Sequence, residues 1–385
     1  MGRGSSIRMR STSGDHLSYT LCDTPILKAT ASVDSGRIRV RADGLLSRLP
    51  AISSALSMID GNIPAFAGES LYISTWLPPV PSRAFDRFVR SQVLASLGRR
   101  TPDQITISVT EECPNRCKHC ALPDTGEHLS LEPEDVQRII DQALDLGSTL
   151  IIFDGGEPCM YRELPELVSY VDDRAVTTMF TSGAGFTEGL AKRLRDAGLQ
   201  AVNVSLDSPL EEEHDAIRGR KGVYRDAMNA IKHALSAGLL VDLYVVLRHD
   251  NIMHLQRFHE LARRMGVHEL TFFEVVPTGR CADSEDIMLD DSDLSALEMF
   301  VSNAPPPRIF SVPSALKRFG CFAGRSWMHV TPSGDVYPCA CYPKSYGNGL
   351  RESLSRIWKR MSDFPYKGIN KCPMRLKGPS KNLNR

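Results

Sequence analysis

The residues that could perform chemistry in this sequence are above all its ten cysteines. Three form a C-x3-C-x2-C pattern within TEECPNRCKHCALPD, at Cys113, Cys117 and Cys120. Four more lie near the C-terminus, at Cys321, Cys339, Cys341 and Cys372. Because structural disulfides are unusual in a reducing compartment, cysteines grouped in this way indicate metal binding or redox chemistry.

The first cysteine group suits an iron–sulfur cluster better than zinc. A structural zinc site normally has four protein ligands, and no fourth ligand is obvious here, because His119 lies between the cysteines in sequence. Three cysteines on a [4Fe–4S] cluster leave one iron open, which makes sense if a small molecule occupies the fourth position. A zinc loop or a chance grouping is the alternative.

Composition and charge narrow the class of protein. The chain has 385 residues, 42% of them hydrophobic, with 46 basic and 46 acidic side chains. Without a basic excess there is no general attraction to nucleic acid or an anionic membrane. No apolar run approaches the roughly 18 residues of a membrane span, and the basic start MGRGSSIRMRSTSGDH is not followed by the apolar region of a secretory signal. We therefore expect a cytoplasmic protein.

From residue 105 onward, short apolar strands alternate with amphipathic helices, which is the pattern of βα units around a parallel sheet. One helix should follow Ser130 as N-cap and end at Gly147. The predicted strands are 105–110, 149–153, 175–180, 201–206, 241–247 and 269–276. Six such units could form part of an eight-stranded barrel or an open doubly wound sheet, and periodicity does not choose between them.

The remainder of the chain predicts two further regions. Residues 1–100 contain two strand-like segments at 37–42 and 69–75, a helical segment at 46–59 and a proline-rich linker at 78–82. After the sixth strand come an acidic helix and the break APPP. The predicted domains are an N-terminal domain of unknown role, a catalytic core and a cysteine-bearing C-terminal domain, at 1–100, 101–285 and 286–385.

Together, two motifs carry a resemblance to a known family. C-x3-C-x2-C after the first strand of the βα series, followed by GGEP after the second, resembles the radical S-adenosylmethionine (SAM) superfamily over residues 105–280. The resemblance implies a partial (β/α)6 TIM-like barrel and a [4Fe–4S] cluster on Cys113, Cys117 and Cys120. It also implies reductive cleavage of SAM to a 5′-deoxyadenosyl radical that abstracts hydrogen from a substrate.

The same resemblance implies a set of SAM contacts. Glycines at a strand end let backbone atoms approach an ammonium group, so Gly155, Gly156 and Glu157 would bind the amino group. Arg218 would pair with the SAM carboxylate, although by itself it reads as a solvated surface arginine. Ser182 and Ser205 follow the third strand and end the fourth, where a barrel places its ligand. Simple turn chemistry is the alternative for Ser182.

The second cysteine group resembles a SPASM/twitch domain. Cys321 and Cys339 frame a C-x12-G-x4-C pattern whose PSGD turn predicts a β-hairpin. Only Cys341 and Cys372 follow, which suffices for one auxiliary [4Fe–4S] cluster. Cys341 is the weakest of the four ligands because its C-x-C spacing with Cys339 is tight. A four-thiolate zinc site is the alternative.

The remaining candidate residues have no matching pattern. Cys22, Cys159 and Cys281 read as small buried hydrophobic residues, with a cavity-facing thiol as the alternative for the latter two. Substrate contacts are expected at or just after the late strands, which favours Tyr244, His249 and Glu274, although each could equally be structural.

These features predict a radical SAM oxidoreductase that abstracts hydrogen from a peptide or cofactor precursor. The auxiliary cluster would take up an electron or hold substrate, and an electron donor such as flavodoxin or ferredoxin would supply the first cluster. A lipid or other small metabolite is an alternative substrate, since residues 1–100 show no winged-helix pattern of a leader-peptide binder. An iron–sulfur electron carrier is the alternative from another class, but it would need no GGEP motif.

Overall fold

The computed structural model describes residues 18–67, 69–122, 128–363 and 370–376. The prediction about a secretory signal concerns residues 1–16, which lie outside the described residues. The strands are β1 (Ser18–Thr24), β2 (Leu27–Asp34), β3 (Arg37–Asp43), β4 (Ala65–Ala67), β5 (Ser70–Tyr72), β6 (Gln104–Ser108), β7 (Leu150–Asp154), β8 (Val176–Thr181), β9 (Leu199–Ser205), β10 (Leu240–Leu247), β11 (Glu269–Glu274), β12 (Arg308–Ser311), β13 (Trp327–Val330) and β14 (Val336–Tyr337).

The helices alternate with the strands of the core, as the periodicity predicts. They are α1 (Pro50–Ile59), α2 (Arg83–Ser96), α3 (Pro133–Leu146), α4 (Leu164–Tyr170), α5 (Glu188–Asp196), α6 (Glu211–Arg218), α7 (Val223–Ser236), α8 (Leu255–Met265), α9 (Asp291–Asn303), α10 (Val312–Phe319), α11 (Leu354–Arg360) and α12 (Pro373–Leu376). Within the described part of the chain, none of them has the length and apolar character that crossing a membrane requires.

The central sheet confirms the predicted fold class. Its order is β12-β11-β10-β9-β8-β7-β6-β13-β14, and every neighbouring pair is parallel except β13 and β14. All six predicted strands are present, as β6 to β11, and they lie side by side in chain order. The result is the partial TIM-like barrel, in which the carboxyl ends of the strands meet at one end.

Helix α3 shows how local sequence sets these units, and where the local reading is wrong. Its buried stripe is the predicted one, formed by Val136, Ile139, Ile140, Ala143 and Leu144. It ends at Gly147, whose left-handed conformation suits glycine. Ser130 is not its N-cap: the helix starts at a proline after Glu132, and the Ser130 hydroxyl instead lies 2.7 Å from that of Thr110.

The C-terminal hairpin joins the barrel rather than standing apart from it. Strands β13 and β14 form the hairpin predicted around the PSGD turn, and β13 also pairs in parallel with β6, the first strand of the core. On the far side of the sheet, β12 extends it beyond β11, a strand that the sequence did not indicate. The second cysteine group is therefore carried on an element of the central sheet.

The N-terminal region has its own small sheet and core. Strands β1, β2 and β3 are antiparallel, and they pack with α1 and α2 around apolar residues that include Ile38, Leu71 and Phe85. The predicted strand at 69–75 is shorter than expected, because only Ser70–Tyr72 pairs with β4.

The residues after β5 contact the amino-terminal ends of the last core strands. Glu269, at the start of β11, is fully buried. Its carboxylate accepts hydrogen bonds from the hydroxyl of Ser74 and from the backbone N–H and hydroxyl of Thr75, at 2.7 to 3.0 Å. Arg308, at the start of β12, forms an ion pair with the same carboxylate. A buried carboxylate with this many donors is a strong anchor between the two regions.

Trp76 extends this contact into the barrel. Its indole N–H lies 3.2 Å from both Asp242 Oδ2 and Thr271 Oγ1. Its ring lies 6.0 Å from that of Phe180 and 6.3 Å from that of Tyr244, in tilted arrangements. The N-terminal region thus supplies the floor of the barrel interior.

We expect Trp76→Ala to lower the free energy of unfolding by about 2 kcal/mol, less than the cost of truncating a fully buried aromatic side chain, because Trp76 is half-buried. The ring contacts with Phe180 and Tyr244 would be lost, together with the hydrogen bonds of the indole. Urea denaturation measures the change. Leu45→Ala is the control, since Leu45 is 77% exposed. Equal stability of the two variants would contradict a structural role for Trp76.

Candidate functional site

The first cysteine group lies on the loop that leaves β6, and backbone hydrogen bonds from distant segments hold this loop. The N–H of Arg116 donates to the carbonyl of Arg218, and the N–H of Lys118 donates to that of Ile217, at 3.0 and 2.9 Å. At the far end, the N–H of Arg280 donates to the carbonyl of Cys120, at 3.0 Å. The positions of the three thiols are therefore set by α6 and by the segment after β11.

Glycines make this close contact possible. A Cβ on Gly156 would overlap the carbonyl oxygen of Glu112, and one on Gly219 would overlap that of Arg116. A Cβ on Gly279 would overlap the carbonyl oxygen of Cys120. The loop is thus clamped at three points where only glycine fits. The glycines of the GGEP motif are needed for this packing as well as for any ligand.

All three thiols line one cavity at the carboxyl end of the barrel. The cavity has a volume of about 510 Å3. Most of the predicted SAM contacts line it too, and so does one cysteine of the second group. The lining residues include Cys113, Cys117, Cys120, Asp154, Gly155, Gly156, Phe180, Ser182, Ser205, Arg218, Tyr244, Glu274 and Cys341.

Glu157 is the exception among the predicted SAM contacts. Its carboxylate is fully buried, does not line the cavity, and accepts hydrogen bonds from the Thr181 hydroxyl at 2.6 Å and from the Ser182 hydroxyl and N–H at 2.6 and 2.8 Å. The Ser182 hydroxyl in turn accepts a hydrogen bond from Asn115, on the cysteine loop, at 2.8 Å. The Glu157 side chain therefore positions the turn after β8.

Arg218 is buried in the cavity wall rather than solvated. Its guanidinium forms an ion pair with Asp207, at 2.7 Å, and lies 3.8 Å from the Cys117 sulfur. Burial raises the pKa of Asp207, but the charge of Arg218, helped by His119, outweighs burial and holds that pKa below its ordinary value. Burial also lowers the pKa of His119 to about 4, so this ring is neutral near pH 7.

The second cysteine group clusters behind the cavity. Cys321, Cys339, Cys341 and Cys372 belong to one packed cluster, and burial raises the pKa of each thiol. The neighbouring thiolate charges add to this effect, those of Cys372 and Cys281 in the case of Cys341. The four cysteines that the sequence predicts as ligands of the second centre are therefore packed in one place.

Both donor sets fit the cofactors that the sequence predicts. Arg218 Nε and Thr278 Oγ1 are buried polar atoms in residues of the cavity wall, and neither has a hydrogen-bond partner among the residues described. Unpaired donors of this kind suit the carboxylate and hydroxyl groups of a ligand. Three thiols on one loop leave an iron of a [4Fe–4S] cluster open to that ligand, and four thiols complete a second cluster.

Some of the other candidate residues line the cavity and some lie outside it. Tyr244 and Glu274 line the cavity, whereas His249 is exposed and lies 2.7 Å from Asp293. Cys22 packs in the N-terminal core, as predicted for a small hydrophobic residue. Cys159 lies 3.5 Å from the hydroxyl of Thr181 and does not line the cavity.

Sequence reasoning overlooked several residues of the cavity wall. Asp154 directly precedes the glycine pair, at the end of β7, and its position at a strand end was the available signal. Phe180 and Phe273 pack against Tyr244, with ring centroids 4.8 and 6.2 Å away. Their inward orientation follows from barrel curvature, which a single sequence does not display.

Comparison with known proteins gives the family. The pattern of the radical SAM superfamily matches residues 107–262. That of the SPASM iron–sulfur cluster-binding domain matches residues 321–374. The chain belongs to the radical SAM superfamily. As a radical SAM enzyme with a SPASM domain, it uses SAM and [4Fe–4S] clusters, which confirms the predicted cofactors.

Relatives of this radical SAM enzyme include catalysts of different reactions. It is 26% identical to an AdoMet-dependent heme synthase from Nitratidesulfovibrio vulgaris, over 69% of this chain and 81% of the synthase. It is 28% identical to a PqqA peptide cyclase from Granulibacter bethesdensis, over 71% of this chain and 78% of the cyclase. The family and the enzymatic character are thus shared, while the substrates differ.

Solved structures confirm the fold. Streptococcus suis SuiB bound to precursor peptide SuiA superimposes with a TM-score of 0.59, covering 73% of this chain and 70% of SuiB at 17% identity. Native anSMEcpe with bound AdoMet gives a TM-score of 0.56, covering 69% of this chain and 82% of that chain at 16% identity. At such identities these likenesses show the architecture alone.

We expect Gly219→Ala to lose most of the iron that the first cysteine group binds. Gly219 and Gly266 both follow a helix C-terminus in the left-handed conformation, with φ of +70° and +74°. Alanine strains the backbone similarly at both positions, but only at Gly219 does its Cβ displace the Arg116 carbonyl. Iron per chain after anaerobic reconstitution measures the difference. If Gly266→Ala, the matched control, lost as much iron, the clamp would not matter.

Proposed function

We propose that this radical SAM enzyme is an oxidoreductase acting on a peptide or cofactor precursor, with electron transfer to an auxiliary [4Fe–4S] cluster. The observation that carries the proposal is that Cys341 lines the same cavity as Cys113, Cys117 and Cys120. A substrate in that cavity would contact both cofactor sites. This arrangement suits oxidation, because hydrogen and a further electron leave the same molecule.

The residue assignments follow the two donor sets. Cys113, Cys117 and Cys120 would hold the first cluster, and the second cluster would be held by Cys321, Cys339, Cys341 and Cys372. When bound, SAM and its cluster supply a hydrogen-atom acceptor, and the auxiliary cluster supplies an electron acceptor.

This chain's own residues would bind and orient SAM. The backbone of Gly155 and Gly156, which lines the cavity, would contact the SAM amino group, and the unpaired Nε donor of Arg218 would pair with the carboxylate. Ser182 and Ser205 add hydroxyl contacts, and Glu157 holds the turn that carries Ser182.

The substrate class rests on relatives and on the cavity wall. One relative is named a heme synthase, which indicates a cofactor precursor as its substrate. Another is named a peptide cyclase, which indicates a peptide. The wall combines aromatic rings, Phe180, Tyr244 and Phe273, with the polar side chains of Asp154 and Glu274. Such a wall suits a substrate with both apolar and polar parts. A cytoplasmic flavodoxin or ferredoxin would donate the electron to the first cluster.

Counting iron tests the two clusters separately. We expect about eight irons per reconstituted chain, four per cluster, and 5′-deoxyadenosine on adding dithionite and SAM. Cys339→Ser should leave about four irons and retain SAM cleavage, because the first group is intact. Cys22→Ser is the matched control and should keep all the iron. Zinc at the second group, or no SAM cleavage by the wild type, would contradict the proposal.

Deuterium transfer tests the substrate class. We expect a deuterated peptide encoded near the gene, or a deuterated porphyrin precursor, to transfer deuterium into 5′-deoxyadenosine and to lose two hydrogens overall. Mass spectrometry of both products measures this. Transfer from a lipid or a small metabolite alone, with none from peptides or porphyrins, would overturn the assignment of substrate.

A further inference from the structure

Three polar side chains cross three neighbouring strands of the barrel toward the cavity. Ser108 on β6 is paired in register with Asp154 on β7. His329 on β13 is in register with Thr106, two residues before Ser108 on the same face of β6. Strand β13 of the SPASM region therefore places the His329 imidazole diagonally beside Ser108.

These side chains form a directed chain of hydrogen bonds. The hydroxyl of Ser108 donates to Asp154 Oδ1 at 2.6 Å. His329 Nε2 lies 3.4 Å from the same hydroxyl, and since the hydroxyl proton is committed to Asp154, Nε2 must be the donor. That tautomer leaves Nδ1 without a proton, and Nδ1 has no hydrogen-bond partner in the described part of the chain. His329 thus donates to the Ser108 hydroxyl, which in turn donates to one oxygen of the Asp154 carboxylate.

The second oxygen of Asp154 is available to a ligand. Asp154 lines the cavity, and its Oδ2 accepts no hydrogen bond from the residues that the structure describes. Ser108 and His329 are 0% and 2% exposed, so they act behind Asp154 and contact no substrate. The carboxylate is fixed on one side and open on the other, which is the geometry of a positioned base.

The electrostatic setting favours proton uptake. Burial raises the pKa of Asp154, while His329 and the Ser108 hydrogen bond lower it less. The charge of Asp154 also raises the pKa of Tyr244 and that of Cys341. Burial lowers the pKa of His329 and raises that of Tyr244, so both are neutral near pH 7. Among His329, Tyr244 and Cys341, therefore, none carries a positive charge that would neutralise the Asp154 carboxylate near pH 7.

We propose that Asp154 is the proton acceptor of the oxidation and that Ser108 and His329 are its positioning residues. The inference rests on the proposed function and narrows the substrate to a carbon that bears an O–H or N–H group. SAM chemistry removes the hydrogen atom from that carbon and leaves a substrate radical. One electron then passes to the auxiliary cluster and the O–H or N–H proton passes to Asp154 Oδ2. A C=O or C=N bond forms, and the losses sum to two hydrogens.

An infrared titration of the reconstituted protein, without SAM or substrate, tests the base directly. The wild type should show a carboxyl C=O band that titrates above the ordinary aspartate value of about 3.9 and is absent in Asp154→Asn. Ser108→Ala and His329→Ala should move this titration to higher pH. The first removes the donor to the anion, and the second removes the donor to the Ser108 hydroxyl. His329→Gln should restore it, since the amide donates. Asp145→Asn, at an exposed ion pair with Arg174, is the control and should keep the band.

Product analysis tests the chemical role with whichever peptide or porphyrin gives wild-type product. Asp154→Asn should still transfer substrate deuterium into 5′-deoxyadenosine, while the oxidised product falls about 100-fold. Asp154→Glu should recover part of the product, and the pH profile of Ser108→Ala should shift as its titration does.

Several results would overturn this role for Asp154. The first is an infrared titration of Asp154→Asn that is identical to that of the wild type. The second is formation of product by Asp154→Asn at the wild-type level. The third is loss of deuterium transfer in Asp154→Asn, which would indicate that Asp154 binds substrate. Failure of the proposed function is distinguishable, because the wild type would then transfer no deuterium from any substrate. The infrared titration would still decide whether Asp154 is a base.

Discussion

Close backbone contact between the cysteine loop and glycines from three other segments is the constraint on which the rest of the site depends. Gly156, Gly219 and Gly279 each face a carbonyl oxygen of the loop so closely that no Cβ fits. The same segments hydrogen-bond the loop backbone. Because these contacts come from the segments that follow β7, α6 and β11, the loop is held in this conformation only when these parts of the barrel are in place. Cluster binding and barrel folding are therefore linked.

The second organising feature is the pairing of β13 with β6. This pairing makes the SPASM hairpin part of the barrel sheet rather than an appended domain. It brings Cys341 to the wall of the cavity and His329 to the back of Asp154. Under the proposed function, the auxiliary region would influence the reacting groups through two routes, an electron acceptor and a hydrogen-bonded base. On the opposite side, Trp76 closes the barrel floor from the N-terminal region.

Local signals predicted the core well. The six strands and the stripe of α3 follow from periodicity, and Gly147 ends that helix because its conformation suits glycine. The cysteine groups and the GGEP motif identified the family before any contact was known. Local signals were wrong where a long-range contact took over. Ser130 bonds across to Thr110 instead of capping a helix. Only tertiary structure brings His329 to Ser108, across 221 positions of sequence.

The central claim is that two iron–sulfur clusters open onto one substrate cavity. A crystal structure of the anaerobically reconstituted protein, with anomalous data collected at the iron and zinc edges, tests it most directly. We expect two iron peaks, one at Cys113, Cys117 and Cys120 and one at the C-terminal cysteines, with SAM and free cavity volume between them. Zinc at the C-terminal cysteines, or a wall of protein that separates Cys341 from the SAM site, would contradict the claim.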